Sequence, residues 1–165
     1  MLDIYGPYIS HTAYTFEYDI PSLEEFEARF LGISREFPWL VWEERGEVLG
    51  YAYAERTFVR KAYQWVADLA IYLRRDCRRK GIGRKLYEAV EESLRRQGYF
   101  VAYGVVTSAN EASCAFHEAM GYKKTAEFPR CGWKFGQWYD TIWYEKRLQE
   151  GDPERPPVGL AERSE

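Results

Sequence analysis

The residues of this chain best suited to chemistry fall into one glycine loop, one isolated acid and one short polar helix. The loop is Arg78, Arg79, Lys80, Gly81, Ile82 and Gly83, an Arg-x-x-Gly-x-Gly pattern continued by Arg84. Residues without bulky side chains let successive backbone N–H groups converge. A helix starting there adds unpaired donors and the positive end of its dipole. Such a loop suits a pyrophosphate. It has neither the Gly-Lys-Ser/Thr of a P-loop nor Gly-x-Gly-x-x-Gly, which leaves the pyrophosphate of coenzyme A as the better candidate. A glycine loop can also serve only to turn the chain; here an apolar run leads in and an amphipathic stretch leads out.

The isolated acid is Asp68, set between Ala67 and Leu69 in the β-rich run 65–73. Burying a carboxylate in such a run is unfavourable unless it is paired or used. It either pairs with a neighbouring Arg or caps a loop, or it serves as a base. Downstream, Asn110, Ser113 and His117 share one predicted helix. Asn110 can cap that helix, bind a ligand amide, or do both. His117 can be a packed core residue or a proton donor near neutral pH.

These groups need elements to hold them. Leu86, Val90 and Leu94 recur at helical spacing after the loop, and Gly98 is a C-terminal stop. Ser22 and Glu25 form a capping-box pattern ahead of a helix carrying Phe26, Phe30, Leu31 and Ile33. Residues 39–43 and 48–56 read as a hairpin around Arg45-Gly46-Glu47. Residues 99–106, 122–130 and 139–148 read as strands, with a helix over 111–120 between the first two. The order predicts an α+β domain over residues 1–148. From 149 to 165, Gly, Pro and charge dominate, which predicts a mobile or loosely docked tail.

The loop in its strand–loop–helix setting resembles the acetyl-coenzyme A loop of the GNAT superfamily of N-acetyltransferases. Further segments narrow the resemblance to the phosphinothricin acetyltransferase family. These are residues 4–17 with the Ile-Tyr-Gly-Pro-Tyr start, 62–65, Asn110 to Ser113 with His117-Glu118 and Gly121-Tyr122, and Gly132 to Asp140. The resemblance implies a mixed, mostly antiparallel central sheet flanked by helices, and direct acetyl transfer from acetyl-CoA to the α-amine of a small amino acid or analogue. It implies Asp68 as base and His117 as the group that protonates the leaving thiolate. The strand beyond Asp68 should splay, freeing backbone at Ile71, Tyr72 and Leu73 for the pantetheine arm, with Asn110 and Ser113 beside it. Tyr14, Phe16, Trp138 and Asp140 are the implied acceptor pocket, and a homodimer the implied assembly. Two departures stand out. Members usually place a strand before the first helix, whereas this chain starts inside that helix, so the first strand is expected to be missing. Many members carry Glu where this chain has Asp68, one methylene shorter.

Composition bounds the rest. At 165 residues and 46% hydrophobic, the chain can form one domain with a sizeable core. A net charge of −3 argues against nucleic acid or membrane as partner, because the basic residues crowd locally at the loop. Cys77, Cys114 and Cys131 have no metal-ligand spacing and no even count, which predicts reduced thiols, no metal and a cytoplasmic protein. Two other readings remain: a non-catalytic acyl-CoA-binding or sensing module, and an acetyltransferase for protein N-termini or polyamines.

Overall fold

The computed structural model describes residues 1–77 and 80–160. Arg78 and Arg79 of the predicted pyrophosphate loop therefore lie outside the described residues. Helices α1 (Leu2–His11) and α2 (Leu23–Ser34) come first, then a hairpin of β1 (Trp39–Glu44) and β2 (Glu47–Arg56). Strand β3 (Val66–Leu73) leads through the loop into α3 (Ile82–Gln97), which is followed by β4 (Val101–Thr107) and α4 (Glu111–Ala119). A long hairpin of β5 (Lys123–Lys134) and β6 (Gln137–Arg147) follows. Among the described residues no strand precedes α1.

Local sequence explains the boundaries. Ser22 accepts from the Glu25 amide while the Glu25 carboxylate accepts from the Ser22 amide, so the predicted capping box forms. Gly98 ends α3 at φ 99°, a left-handed conformation that glycine adopts without strain.

The six strands form one sheet in the order β1-β2-β3-β4-β6-β5. Only β3 and β4 run parallel; every other neighbouring pair is antiparallel. Alternation along the strands divides the core in two. On one face Ala52, Ala54, Leu69 and Ala102 pack against Leu86, Val90 and Leu94 of α3. On the other, Trp39, Tyr51, Tyr53 and Tyr72 meet Tyr5, Tyr8 and Ile9 of α1 and Phe26 of α2. The tail folds back through part of its length: Trp65 Nε1 donates to the Arg155 carbonyl, and the Val158 amide donates to the Gln97 carbonyl.

One irregularity organises everything that follows. Strand β3 pairs with β2 over its whole length, from Gly50↔Leu73 to Arg56↔Ala67. With β4 it pairs only at Val66↔Val101, Ala67↔Ala102 and Asp68↔Tyr103. Beyond Asp68 the two parallel strands part, and the sheet opens into a fork.

Candidate active site

The Arg74 amide donates to the Leu49 carbonyl at 2.8 Å, which continues the β2–β3 ladder by one pair. Because donors alternate sides along an antiparallel strand, the amides of Tyr72 and Ala70 also point to β2, and those of Ile71 and Leu73 point into the fork. Carbonyls on the open edge meet side chains: the Tyr8 hydroxyl donates to Leu73 O at 2.6 Å, and the Tyr87 hydroxyl lies 3.2 Å from Leu69 O. The Ile71 and Leu73 amides have no acceptor among the described residues. Strand amides are rarely left without an acceptor, so these two are free to donate into the gap. Of the three backbone positions expected to hold the pantetheine arm, two face the gap. Tyr72 does not: its amide belongs to the β2 ladder and its ring packs edge-on against Tyr5 and Tyr8.

Two adjoining cavities fill the fork. The larger, about 510 Å³, is walled by Ile71, Leu73, Gly83, Ala112 and Phe116 and reaches the first turn of α3. Gly81, at φ 77°, turns the chain into that helix. A Cβ on Gly83 would stand 3.4 Å from Leu73 Cδ1, so the bare backbone leaves space at the cavity wall. Arg84 is directed elsewhere, to the Ala119 carbonyl and to Glu88. Lys80 is exposed.

The smaller cavity, about 240 Å³, is lined by Asp68, Glu55, Tyr53, Tyr14, Phe16 and His117 among others. Asn110 and Ser113 border both cavities. Asn110 is also the N-cap of α4, its side chain accepting from the Ser113 amide at 3.2 Å. Asp68 stands where the strands part, and its Oδ1 is inaccessible to solvent with no hydrogen-bond partner among the described residues. Burial, with a smaller contribution from the nearby Glu55 charge, pushes the Asp68 carboxyl up to about 8. Glu55 is also raised, first by burial.

His117 differs in every respect. It is 3% exposed, its Nδ1 lies 2.8 Å from the Ser113 carbonyl and its Nε2 2.8 Å from the Tyr87 hydroxyl. A carbonyl can only accept, so the proton resides on Nδ1 and Nε2 accepts from Tyr87. Burial holds the ring below its usual pKa, in the neutral form. Its position against β4 depends on Gly104, where a Cβ would lie 2.3 Å from His117 Nε2.

Tyr14 and Phe16 reach the cavity as expected. Phe16 lies over Gly132, where a Cβ would come within 2.2 Å of the ring. The segment carrying both aromatics is held by Lys134, 2% exposed, whose ammonium donates to the carbonyls of Ile9, Thr12 and Thr15 at 2.8, 2.9 and 2.8 Å. Trp138 and Asp140 are not brought to this cavity within the chain. Trp138 is 47% exposed against Trp133, and Asp140 Oδ1 accepts from the Arg130 amide at 2.7 Å where the β5–β6 register shifts. Sequence reasoning missed Glu55, Tyr87 and Lys134. Only the strand register or a long-range contact marks them. No cluster of three metal-ligating side chains exists among the described residues.

A forked mixed sheet with unpaired amides, an apolar channel and a helix N-terminus at its mouth defines an acyl-transfer fold with a place for a thioester arm. The chain belongs to the GNAT acetyltransferase family, whose acetyl donor is acetyl-coenzyme A: residues 3–143 match the acetyltransferase (GNAT) domain. It is 30% identical over 154 residues to phosphinothricin N-acetyltransferase of Streptomyces viridochromogenes, covering 93% of this chain and 84% of that one. It is 33% identical over 159 residues to the L-methionine sulfoximine/L-methionine sulfone acetyltransferase of Pseudomonas aeruginosa, covering 94% and 90%. Among solved structures, the phosphinothricin acetyltransferase from Sinorhizobium meliloti in complex with acetyl-CoA superimposes with a TM-score of 0.89 at 32% identity, covering 97% of this chain and 89% of that one.

Proposed function

We propose that this protein moves acetyl directly from acetyl-CoA to the α-amino group of a small amino acid or analogue, of the phosphinothricin or methionine sulfone kind, with Asp68 as the base. The observation that carries this reading is the buried, unpartnered Oδ1 of Asp68 at the mouth of the fork. An α-ammonium titrates near about 8. A carboxyl raised to about 8 is therefore matched to it, and proton transfer between the two is close to balanced.

The residues present suit the donor. Ile71, Leu73, Gly83 and Phe116 would line the pantetheine arm, and the first-turn amides of α3 would meet the pyrophosphate. Bound there, acetyl-CoA supplies an activated acetyl group as a thioester. Asp68 takes the proton from the acceptor nitrogen, and the amides of Ile71 and Leu73 stabilise negative charge on a carbonyl oxygen in the gap. As nitrogen bonds the carbonyl carbon and the C–S bond breaks, the thiolate needs a proton. His117, neutral with its single proton on Nδ1 against the Ser113 carbonyl, has none on Nε2 to give, so in this tautomer it holds the Tyr87 hydroxyl in place and the thiolate takes its proton from solvent.

Mass-spectrometric detection of acetylated product tests this reading, using a panel of amino acids, phosphinothricin, methionine sulfone, polyamines and short peptides. Turnover of a small α-amine, lost on Asp68→Asn, is the expected result. Binding of acetyl-CoA with no acetylation of any member would favour the sensing module. Preference for peptides or polyamines would favour those acceptors; against them stands the small cavity walled by Tyr14 and Phe16. The assembly in this reading is a cytoplasmic homodimer formed through the exposed aromatics of the β5–β6 hairpin, Phe128, Trp133, Phe135 and Trp138. A monomeric mass at micromolar concentration would overturn it.

A further inference from the structure

The acceptor cavity holds a second acid for which the acetyl-transfer step has no use. Glu55 is the direct cross-strand partner of Asp68 in the β2–β3 ladder, so both side chains leave the same face of the sheet side by side. Both line the 240 Å³ cavity. Glu55 makes no hydrogen bond or ion pair with any described residue, and Asp68 Oδ1 is sealed from solvent without a partner. The cation closest in influence, Arg29, is occupied by both oxygens of Glu17, at 2.7 and 3.4 Å. No Arg or Lys lines the cavity among the described residues.

Two adjacent acids without a built-in cation share at most one negative charge, and both can ionise together only when positive charge enters the site. An acceptor ammonium at Asp68 supplies one charge, and that charge is lost when Asp68 takes the proton and the nitrogen becomes an amide. Glu55 then remains as an unneutralised anion unless the acceptor carries a second cation. An acceptor with an extra anion would add repulsion that no described group of the cavity offsets.

We propose that Glu55 narrows the acceptor class within that reading, selecting amino acids with a second positive charge, such as lysine, over those with an additional anionic group, so that phosphinothricin itself becomes a poor acceptor while uncharged analogues such as methionine sulfone stand between. This deepens the α-amine reading and rests on it for turnover, but charge selection can be read by binding alone.

The experiment compares kcat/KM for lysine, methionine sulfone and phosphinothricin in the wild-type protein and in Glu55→Gln and Glu55→Asp, together with the thermal shift each ligand produces. Wild type should favour lysine over phosphinothricin by at least about tenfold. Glu55→Gln should erase most of that ratio, whatever change it brings to all three acceptors in common through Asp68, and Glu55→Asp should keep the order. A purely structural Glu55 would lower the melting temperature and move all three acceptors together, which overturns the proposal. So does a wild-type preference for phosphinothricin, or a ratio unchanged in Glu55→Gln. If no amine is acetylated, the α-amine reading fails; thermal shifts that still rank lysine first in wild type, but not in Glu55→Gln, then uphold the charge selection by themselves.

Discussion

Asp68 and His117 face the same fork from opposite sides of the sheet, and their surroundings are opposites. Asp68 is on the face covered by α1, with an oxygen that nothing satisfies; His117 is on the face covered by α3 and α4, with both nitrogens satisfied. Folding fixes His117 through a ladder of neighbours: Ser113 O, Tyr87 and bare Gly104. It leaves Asp68 Oδ1 without a partner among the described residues. A buried polar group without a partner destabilises the free protein, so its persistence marks the place where binding restores the balance. A fully bonded group, however close to the site, works through what it holds in place.

That contrast is sharpened first by Asp68→Asn. Steady-state kinetics should show kcat/KM for the acceptor falling by about 10²–10⁴, the range for losing a general base, with the acetyl-CoA KM little changed. Calorimetry should show no loss of stability at neutral pH. The sign follows from the raised carboxyl: its contribution to stability is complete below the unfolded-state value and is lost as pH rises through about 8. Wild type should therefore lose melting temperature between about pH 4 and 8 relative to Asp68→Asn, and level off above. A variant that is inactive because it is unfolded would break the comparison.

Lys134→Met should come next. It removes the donor shared by three carbonyls and should destabilise by about 1–3 kcal/mol per acceptor left unsatisfied, less whatever water recovers. Because those carbonyls hold the segment bearing Tyr14 and Phe16, KM for the acceptor should rise more than KM for acetyl-CoA. Gly104→Ala presses a methyl into the His117 ring and should destabilise by about 1–3 kcal/mol in chemical denaturation, with activity reduced in parallel. Tyr87→Phe is the mildest, about 1 kcal/mol for one hydrogen bond. Nitrogen-15 spectra of the variant should still show His117 in its Nδ1–H form, with the Nε2 resonance shifted by loss of its donor.

The sequence made the fold legible where signals were local. The capping box at Ser22 and Glu25, the stop at Gly98, the turn at Gly46 and the strand–loop–helix around Gly81 are all written within a few residues of where they act. Asp68 was legible because an acid in an apolar strand is conspicuous. The fork beyond it, and the roles of Tyr14 and Phe16, came from family resemblance rather than from periodicity. Glu55 was hidden because it sits at the end of an ordinary-looking strand, and only the register with β3 places it opposite Asp68. Tyr87 and Lys134 looked like a helix aromatic and a turn lysine; their partners lie 30 residues away at His117 and 125 residues away at Ile9. Trp138 and Asp140 came from family resemblance alone, and within one chain their stretch shapes a hairpin rather than lining the cavity.

The most direct test of the central claim is the pH dependence of kcat/KM for an α-amine acceptor in wild type and Asp68→Asn, at fixed acetyl-CoA. If Asp68 accepts the proton, the wild-type rate rises with pH through an inflection near 8 to which Asp68 and the acceptor amine both contribute, and the variant is slow and keeps only the amine's. Wild-type rates with the same inflection in Asp68→Asn would contradict the account.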